Sequence, residues 1–324
     1  MASNRRDPEH LMAVACGGDR AALARLLSLV EAGGEPAREV GRLAFPRSGA
    51  AYTVGITGAP GAGKSTLTNG LISVLRSEGL DVGVLAIDPS SPFSGGAILG
   101  DRVRMGDHAL DHSVFIRSMA TRGHLGGLAL ATPEAVRVLD ACGLGWVLIE
   151  TVGVGQVEVE VAGATDTTVV VVNPGWGDAV QANKAGLLEI ADLFVINKAD
   201  RPGAGETRRD LEQMLDLAGD DGRGSGPGWR PPILEAVATT DDGVAELWAA
   251  IGEHRVWLSA GGRLQARRAA RLRQELGLVV AQRLRRRAET MLAGGELERL
   301  QNDVAAHRLD PWEAADQVLA PLEA

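Results

Sequence analysis

The apolar positions of this chain change their rhythm twice. Over the first 48 residues Leu11, Val14 and Ala15, then Leu23, Leu26, Leu27 and Val30, recur at three- and four-residue spacing, and Gly17-Gly18 and Gly33-Gly34 interrupt them. That is the helical period, so 1–48 reads as an N-terminal helical segment. From Tyr52 onward short β-branched runs take over, at 52–57, 82–87, 114–116, 146–150, 167–172, 193–197 and 233–237. Most are apolar at consecutive positions, as strands buried on both faces of a parallel sheet must be. Helical stretches alternate with them at 64–78, 133–141, 179–190, 206–218 and 244–258. Such alternation predicts an α/β fold, a mostly parallel sheet flanked by helices, over 49–260. The stretch 220–232, rich in Gly and Pro, reads as a surface loop. After Gly261-Gly262 the helical period returns in an Arg-rich helix to about residue 292 and a last helix from about Pro311, so 261–324 reads as a C-terminal helical arm. No internal repeat is visible.

Composition narrows the function classes. Hydrophobic residues at 45% supply a sizeable core, and aromatics at only 3% make it aliphatic. The net charge of -9 argues against whole-protein affinity for nucleic acid or an anionic membrane. No apolar run approaches the roughly 20 residues that span a bilayer. The first ten residues lack the apolar stretch of a signal peptide, so a cytoplasmic location is expected. Cys16 and Cys142 stand alone in sequence, with no Cys-x-x-Cys pair, which fits a reducing compartment. The 33 basic residues include only three lysines, Lys64, Lys184 and Lys198. Arg is a wide planar fork and Lys a compact point charge, so a lysine kept in such a chain marks a place where the fork does not substitute.

Two of the three lysines sit in nucleotide motifs. Gly58-Ala59-Pro60-Gly61-Ala62-Gly63-Lys64-Ser65-Thr66 follows a predicted strand and opens a predicted helix. Its glycines let backbone N–H groups turn inward around phosphate oxygens, and the helix N-terminus adds partial positive charge. Lys64 is expected to reach the β- and γ-phosphates, and the Ser65 hydroxyl to ligate Mg²⁺. Asn197-Lys198-Ala199-Asp200 follows another apolar strand. The Asp200 carboxylate can accept from N1–H and the 2-amine of guanine, whereas adenine would leave it unpaired, so GTP is expected over ATP. Lys198 can lie along the base and Asn197 can brace the loop. Glu150-Thr151-Val152-Gly153 closes a third strand, where Glu150 can hold Mg²⁺ through water and the Gly153 amide can meet the γ-phosphate. Asp88 and Asp101 are further magnesium-side carboxylates by position, although spacing alone reads each equally well as a cap. Val237, Ala238 and Thr239, at the end of the last predicted strand, complete the expected nucleotide-contacting set.

Together these segments resemble the MeaB/ArgK family, GTPase chaperones of adenosylcobalamin-dependent acyl-CoA mutases. The resemblance is carried by 58–66, by 88–105 (DPSSPFSGGAILGDRVRM), 122–127 (RGHLGG), 150–156 (ETVGVGQ), 177–186 (GDAVQANKAG) and 197–200. It implies Asp88, Asp101 and Glu150 around the metal, mobile switches at 92–108 and 150–160, and a further switch at 177–186, which would account for Lys184. Gln156 is the expected water-positioning residue, although it follows Gly153 by three positions rather than one. The resemblance also implies a homodimer held by the C-terminal arm. Its implied client is a methylmalonyl-, isobutyryl- or 2-hydroxyisobutyryl-CoA mutase, with a cobalamin adenosyltransferase as a further partner. The chain departs from the family pattern at Trp146, Val157, Ala179 and Asn183, none of them a nucleotide position.

Two other readings compete. A nickel metallochaperone GTPase needs a Cys/His site, for which His108 and His112, four apart and able to share a helix face, are the available pair. A kinase acting on a small molecule or a transport protein needs an acceptor that the guanine motif does not predict. The nine arginines from Arg263 to Arg287 form the kind of cluster that neutralises nucleic-acid phosphates. No aromatic interleaves them, and Leu264, Leu272, Leu276, Val279, Val280 and Leu284 form an apolar stripe, so a solvated helix with an oligomer-facing seam is expected.

Overall fold

The computed structural model describes residues 7–88, 108, 110–120, 127–151, 163–175, 186, 189–218, 228–291 and 295–323. Among them the apolar runs pair into one seven-stranded sheet. Its strands are β1 (Tyr52–Gly58), β2 (Val82–Asp88), β3 (Val114–Ala120), β4 (Trp146–Thr151), β5 (Thr167–Val172), β6 (Leu193–Asn197) and β7 (Ile233–Ala236). They lie in the order β3-β2-β4-β1-β5-β6-β7. Every pairing is parallel, and β1 is central, with Ile56 opposite Glu150 on one side and Val169 on the other.

Successive strand side chains point to opposite faces, and both faces are apolar. On one face Val54, Ile56, Val84, Leu148 and Val171 pack under Leu67, Leu71 and Leu75 of α4 (Lys64–Ser77) and Leu247 and Ile251 of α7 (Val244–Ser259). Their alternates Leu85, Ile87, Val147 and Ile149 meet Val138 and Leu139 of α5 (Gly127–Ala141). The same cluster takes in Leu11 of α1 (Pro8–Cys16), Leu26 and Leu27 of α2 (Arg20–Ala32) and Val40 of α3 (Gly34–Ala44). Further along, Val170, Val172, Phe194 and Ile196 pack on Leu211 and Leu215 of α6 (Ala204–Ala218). Helices α1 to α3, over 8–44, therefore form an outer helical layer over one sheet face.

Several elements differ from the sequence expectation. β3 runs on through Arg117 to Ala120, because Arg117 finds an ion-pair partner in Glu31 of α2 and donates to Ser28 Oγ at 3.1 Å. Pro133 lies inside α5 instead of opening it, six residues from the start. The expected helix at 179–190 falls almost wholly outside the described residues. A helix over Glu296–Ala305 was not expected.

The chain divides into two compact units, 1–271 and 272–324, and the division falls within the long helix α8 (Arg263–Met291). In the second unit Leu284 and Ala288 of α8, Leu300 and Val304 of α9 (Glu296–Ala305) and Ala314 and Val318 of α10 (Pro311–Glu323) line an apolar cavity of about 570 Å³. Leu272, Leu276 and Val280 of the expected stripe are exposed.

At the root of α8 the expectation of a wholly solvated arginine face is corrected. Arg267 pairs with Asp192 at 3.0 Å, Arg268 pairs with Asp166 at 2.6 Å, and Arg271 also pairs with Asp166. Both aspartates are buried, one immediately before β5 and the other immediately before β6. Burial alone would raise the Asp166 carboxyl. The Arg268 hydrogen bond and the two guanidinium charges instead hold it below the usual carboxylate range.

Beside this cluster lies His254 of α7, fully buried. Its Nδ1 is 2.8 Å from Thr167 Oγ1, which is 2.7 Å from the Tyr52 hydroxyl. Burial pushes the imidazole down to about 4, against the opposing pull of Asp192. Between that value and the ordinary ~6.5 the unfolded chain binds a proton that the folded chain refuses. Stability therefore declines as pH falls through this window, by up to about 3 kcal/mol, and the loss is complete below it. Denaturant titrations from neutral to acid pH should show the decline, and His254→Asn should flatten it. An unchanged slope in that variant would assign the titration to other groups.

Candidate active site

Five strands, β1, β2, β4, β6 and β7, deliver the described sequence-predicted residues to one edge of the sheet, at their C-terminal ends. β1 is the point where the order reverses, its neighbours being β4 and β5, and open α/β sheets bind ligands at such a crevice. The loop after β1 begins at Gly58, with φ 134°. A Cβ there would penetrate the Val171 carbonyl of β5, so only glycine lets the two strands stay paired while the chain turns. Gly63, with φ 88°, caps α4, and a Cβ on it would strike the Asn197 amide. Lys64 opens the helix and is buried. Its side chain folds back so that Nζ donates to Gly58 O at 2.7 Å and Ala59 O at 3.0 Å. Ala62 is buried, and Pro60, Gly61 and Thr66 are exposed.

Ser65 follows, and its hydroxyl donates to Glu150 Oε1 at 2.5 Å. Both residues are buried. A hydroxyl and a carboxylate held at the helix N-terminus form a hard oxygen donor set, which fits Mg²⁺ and not a soft metal. Asp88 closes β2 beside β4 at the same edge. Asp101, Gly153 and Gln156 lie outside the described residues. Thr57 and Thr151, hydrogen-bonded at 3.0 Å, lock β1 to β4 just beneath, a pair that no motif singles out.

Asn197, the last residue of β6, is the hub of the next strand end. It is buried; its Nδ2 donates to Ala62 O at 2.7 Å, and its Oδ1 accepts from the Ala238 amide at 3.1 Å. Lys198 takes a left-handed φ of 60°, and its Nζ donates to Gly61 O at 2.6 Å. Ala199 N bonds Ala236 O at 3.1 Å, and Val237 N bonds Asp242 O at 2.9 Å, which fixes the turn carrying Ala238 and the exposed Thr239. Asp200 is exposed beside these loops. The structure thus gathers 58–66, Glu150, 197–200 and 237–239 at one place.

His108 and His112 do not share a helix face. His112 lies in a turn before β3, and His108 Nε2 sits 3.4 Å from Asn69 O. Among the described residues no group of three or more His, Cys, Asp or Glu side chains could hold a metal ion. Nor is any helix among them long and apolar enough to cross a membrane.

Comparison with known proteins decides the family. The model of the family described as methylmalonyl-CoA mutase-associated GTPase MeaB matches residues 23–293. The chain belongs to this family. A Pyrococcus abyssi protein provisionally named a GTPase is 54% identical to this MeaB-family chain over 93% of each. Escherichia coli GTPase ArgK is 40% identical over 76% of each chain. The mouse mitochondrial methylmalonic aciduria type A homolog is 33% identical over 93% of this chain and 76% of its own. Among solved structures, an LAO/AO transport system kinase superposes with a TM-score of 0.72 at 28% identity, over 98% of each chain. As a MeaB-family member the chain is a GTPase and binds guanine nucleotide.

Proposed function

We propose that this GTPase is a chaperone of an adenosylcobalamin-dependent acyl-CoA mutase, gating loading of the cofactor and protecting or reactivating the mutase. The observation that carries the reading is the match over 23–293 to a family described as mutase-associated, together with the convergence of the GTPase motifs at one sheet edge. In this reading Lys64 leaves the carbonyls of Gly58 and Ala59 for the β- and γ-phosphates. The 58–66 amides cradle the phosphates, and Gly153 meets the γ-phosphate. Ser65 and Glu150, with Asp88 and Asp101, hold Mg²⁺, which when bound neutralises charge between the phosphates. Gln156 orients the attacking water. Asn197, Lys198 and Asp200 hold guanine, with Val237, Ala238 and Thr239 closing the far side of the base. The second unit pairs two copies into a homodimer.

The test is GTP turnover measured alone and with purified methylmalonyl-, isobutyryl- and 2-hydroxyisobutyryl-CoA mutases. Acceleration by one and not the others identifies the client. No acceleration by any removes the mutase reading and leaves the GTPase intact. The transport kinase that shares this fold suggests a second reading, which requires a phosphorylated acceptor to accumulate in proportion to nucleotide consumed.

Base recognition has its own test. In Asp200→Asn the side chain presents an amide donor where guanine also presents donors, and xanthine presents a 2-oxo acceptor. GTP turnover at limiting concentration should fall by about 10²-fold or more, with xanthosine triphosphate preferred. Unchanged selectivity would place the base away from the 197–200 loop.

A further inference from the structure

The two cysteines, separate in sequence, meet in the fold. They lie 126 positions apart, and their Sγ atoms are 3.1 Å from each other. They are the chain's only cysteines. Cys16 ends α1, and Cys142 directly follows α5. The approach is fixed from both sides. Leu11, Met12 and Ala15 of α1 are buried in the same core cluster as Val138 and Leu139 of α5, and Cys142 packs against that cluster. The Cys16 thiol also donates toward Ala141 O at 3.2 Å, which holds its sulfur over the end of α5. Anchoring of both helices in this one cluster brings the thiols together.

The distance discriminates between two uses of a thiol pair. A tetrahedral metal with bonds of ~2.3 Å holds two sulfurs roughly 3.8 Å apart. The separation here is shorter, and no third Cys, His, Asp or Glu among the described residues joins the pair into a metal-binding group. The 3.1 Å separation leaves about 1 Å for the sulfurs to close to a disulfide of ~2.05 Å.

We propose that Cys16 and Cys142 form a reversible disulfide that ties α1 to the end of α5. The oxidant is a low-molecular-weight disulfide. Cys16, exposed at the surface, attacks one of its sulfurs as the thiolate; the small S–S bond breaks and one small thiolate leaves. Cys142, also as thiolate, then attacks the Cys16 sulfur of the mixed disulfide and expels the second small thiolate. The two protons lost by the protein thiols pass to the two departing thiolates. Two protein thiols are oxidised and one small disulfide is reduced to two thiols. Burial and the adjacent Cys16 push the Cys142 thiol up, which makes Cys16 the first nucleophile and Cys142 the resolving one.

The bond would close a loop containing α2, α3, β1, α4, β2, β3 and α5. A loop that long should raise the apparent Tm of the first unit by roughly 5–10 °C. Cys142 precedes β4 and Glu150 lies near its C-terminal end, so the bond forms at the opposite edge of the sheet from the nucleotide site. Basal GTP turnover is therefore expected to stay within about twofold.

The experiment equilibrates the full chain with glutathione at graded ratios of oxidised to reduced form, then alkylates and weighs it. The proposal expects both thiols to vanish together, an intact mass lower by two hydrogens, full reversal by dithiothreitol and the rise in Tm. Cys142→Ser should trap Cys16 as a stable glutathione adduct. Persistence of an adduct in the unsubstituted chain, one thiol alkylating after the other is lost, or disulfides between two chains would each overturn it. So would stoichiometric Zn²⁺ binding that shields both thiols and blocks their oxidation.

Discussion

Lys64→Ala should lower GTP turnover by about a thousandfold while leaving the fold in place. The cation is already desolvated: Lys64 is buried at the first turn of α4, with two carbonyls of the preceding loop as partners. In that setting a single positive contact to the transferring phosphate is worth far more than in water. The fold should survive because α4 is held by Leu67, Leu71 and Leu75, which the substitution does not touch. Lys64→Arg should fail almost as badly, since the planar fork cannot sit between Gly58 O and Ala59 O as a point charge does. Single-turnover hydrolysis read beside thermal melting separates the two effects. Normal hydrolysis in a folded Lys64→Ala chain would remove the 58–66 loop from the chemistry.

The second large effect is on stability. Asp166→Ala should cost about 3–5 kcal/mol, because it leaves two guanidinium groups at the root of α8 without their shared carboxylate. Asp166 also accepts from the Thr53 amide at 3.1 Å, so a strand edge loses a partner too. Arg271 is the more exposed to the loss: burial already pushes its guanidinium down from the ordinary range, with the Asp166 charge as the main opposing influence. Arg268 keeps the carbonyls of Gly49 and Ala51, at 2.6 and 2.7 Å. Urea unfolding of the full chain measures the change. A loss below about 1 kcal/mol would mean that both arginines reach water once the carboxylate is gone.

These two sites were unequally legible. The Lys64 loop is a contiguous motif, and a backbone that must wrap phosphates leaves a glycine pattern in sequence. The strands were legible for the same local reason, since burial on both faces demands consecutive apolar residues. β5 and β6 match their predicted bounds, while β3 was cut short at Arg117 because its partner Glu31 lies 86 residues away. Asp166 and Asp192 carry no local signal at all. Each precedes an apolar strand, and only the docking of α8, about 75 to 105 residues later, turns them into buried ion-pair partners. The cysteine pair was invisible for the same reason. Asn197 was readable as a brace, but the two loops it braces were not. Trp146, which departs from the family pattern, sits between Tyr52 and Trp248 in edge-to-face contacts at centroid distances of 5.2 and 4.6 Å, so its role is in packing.

The single amide of Asn197 has a consequence for how this enzyme could change over evolutionary time. It donates to the loop before α4 and accepts from the loop after β7, so in the function proposed above one side chain belongs to two recognition tasks at once. A lineage drifting toward another base could not tune that loop alone, because each shift of the amide would be felt at Ala62 as well. Base preference and phosphate grip are inherited together.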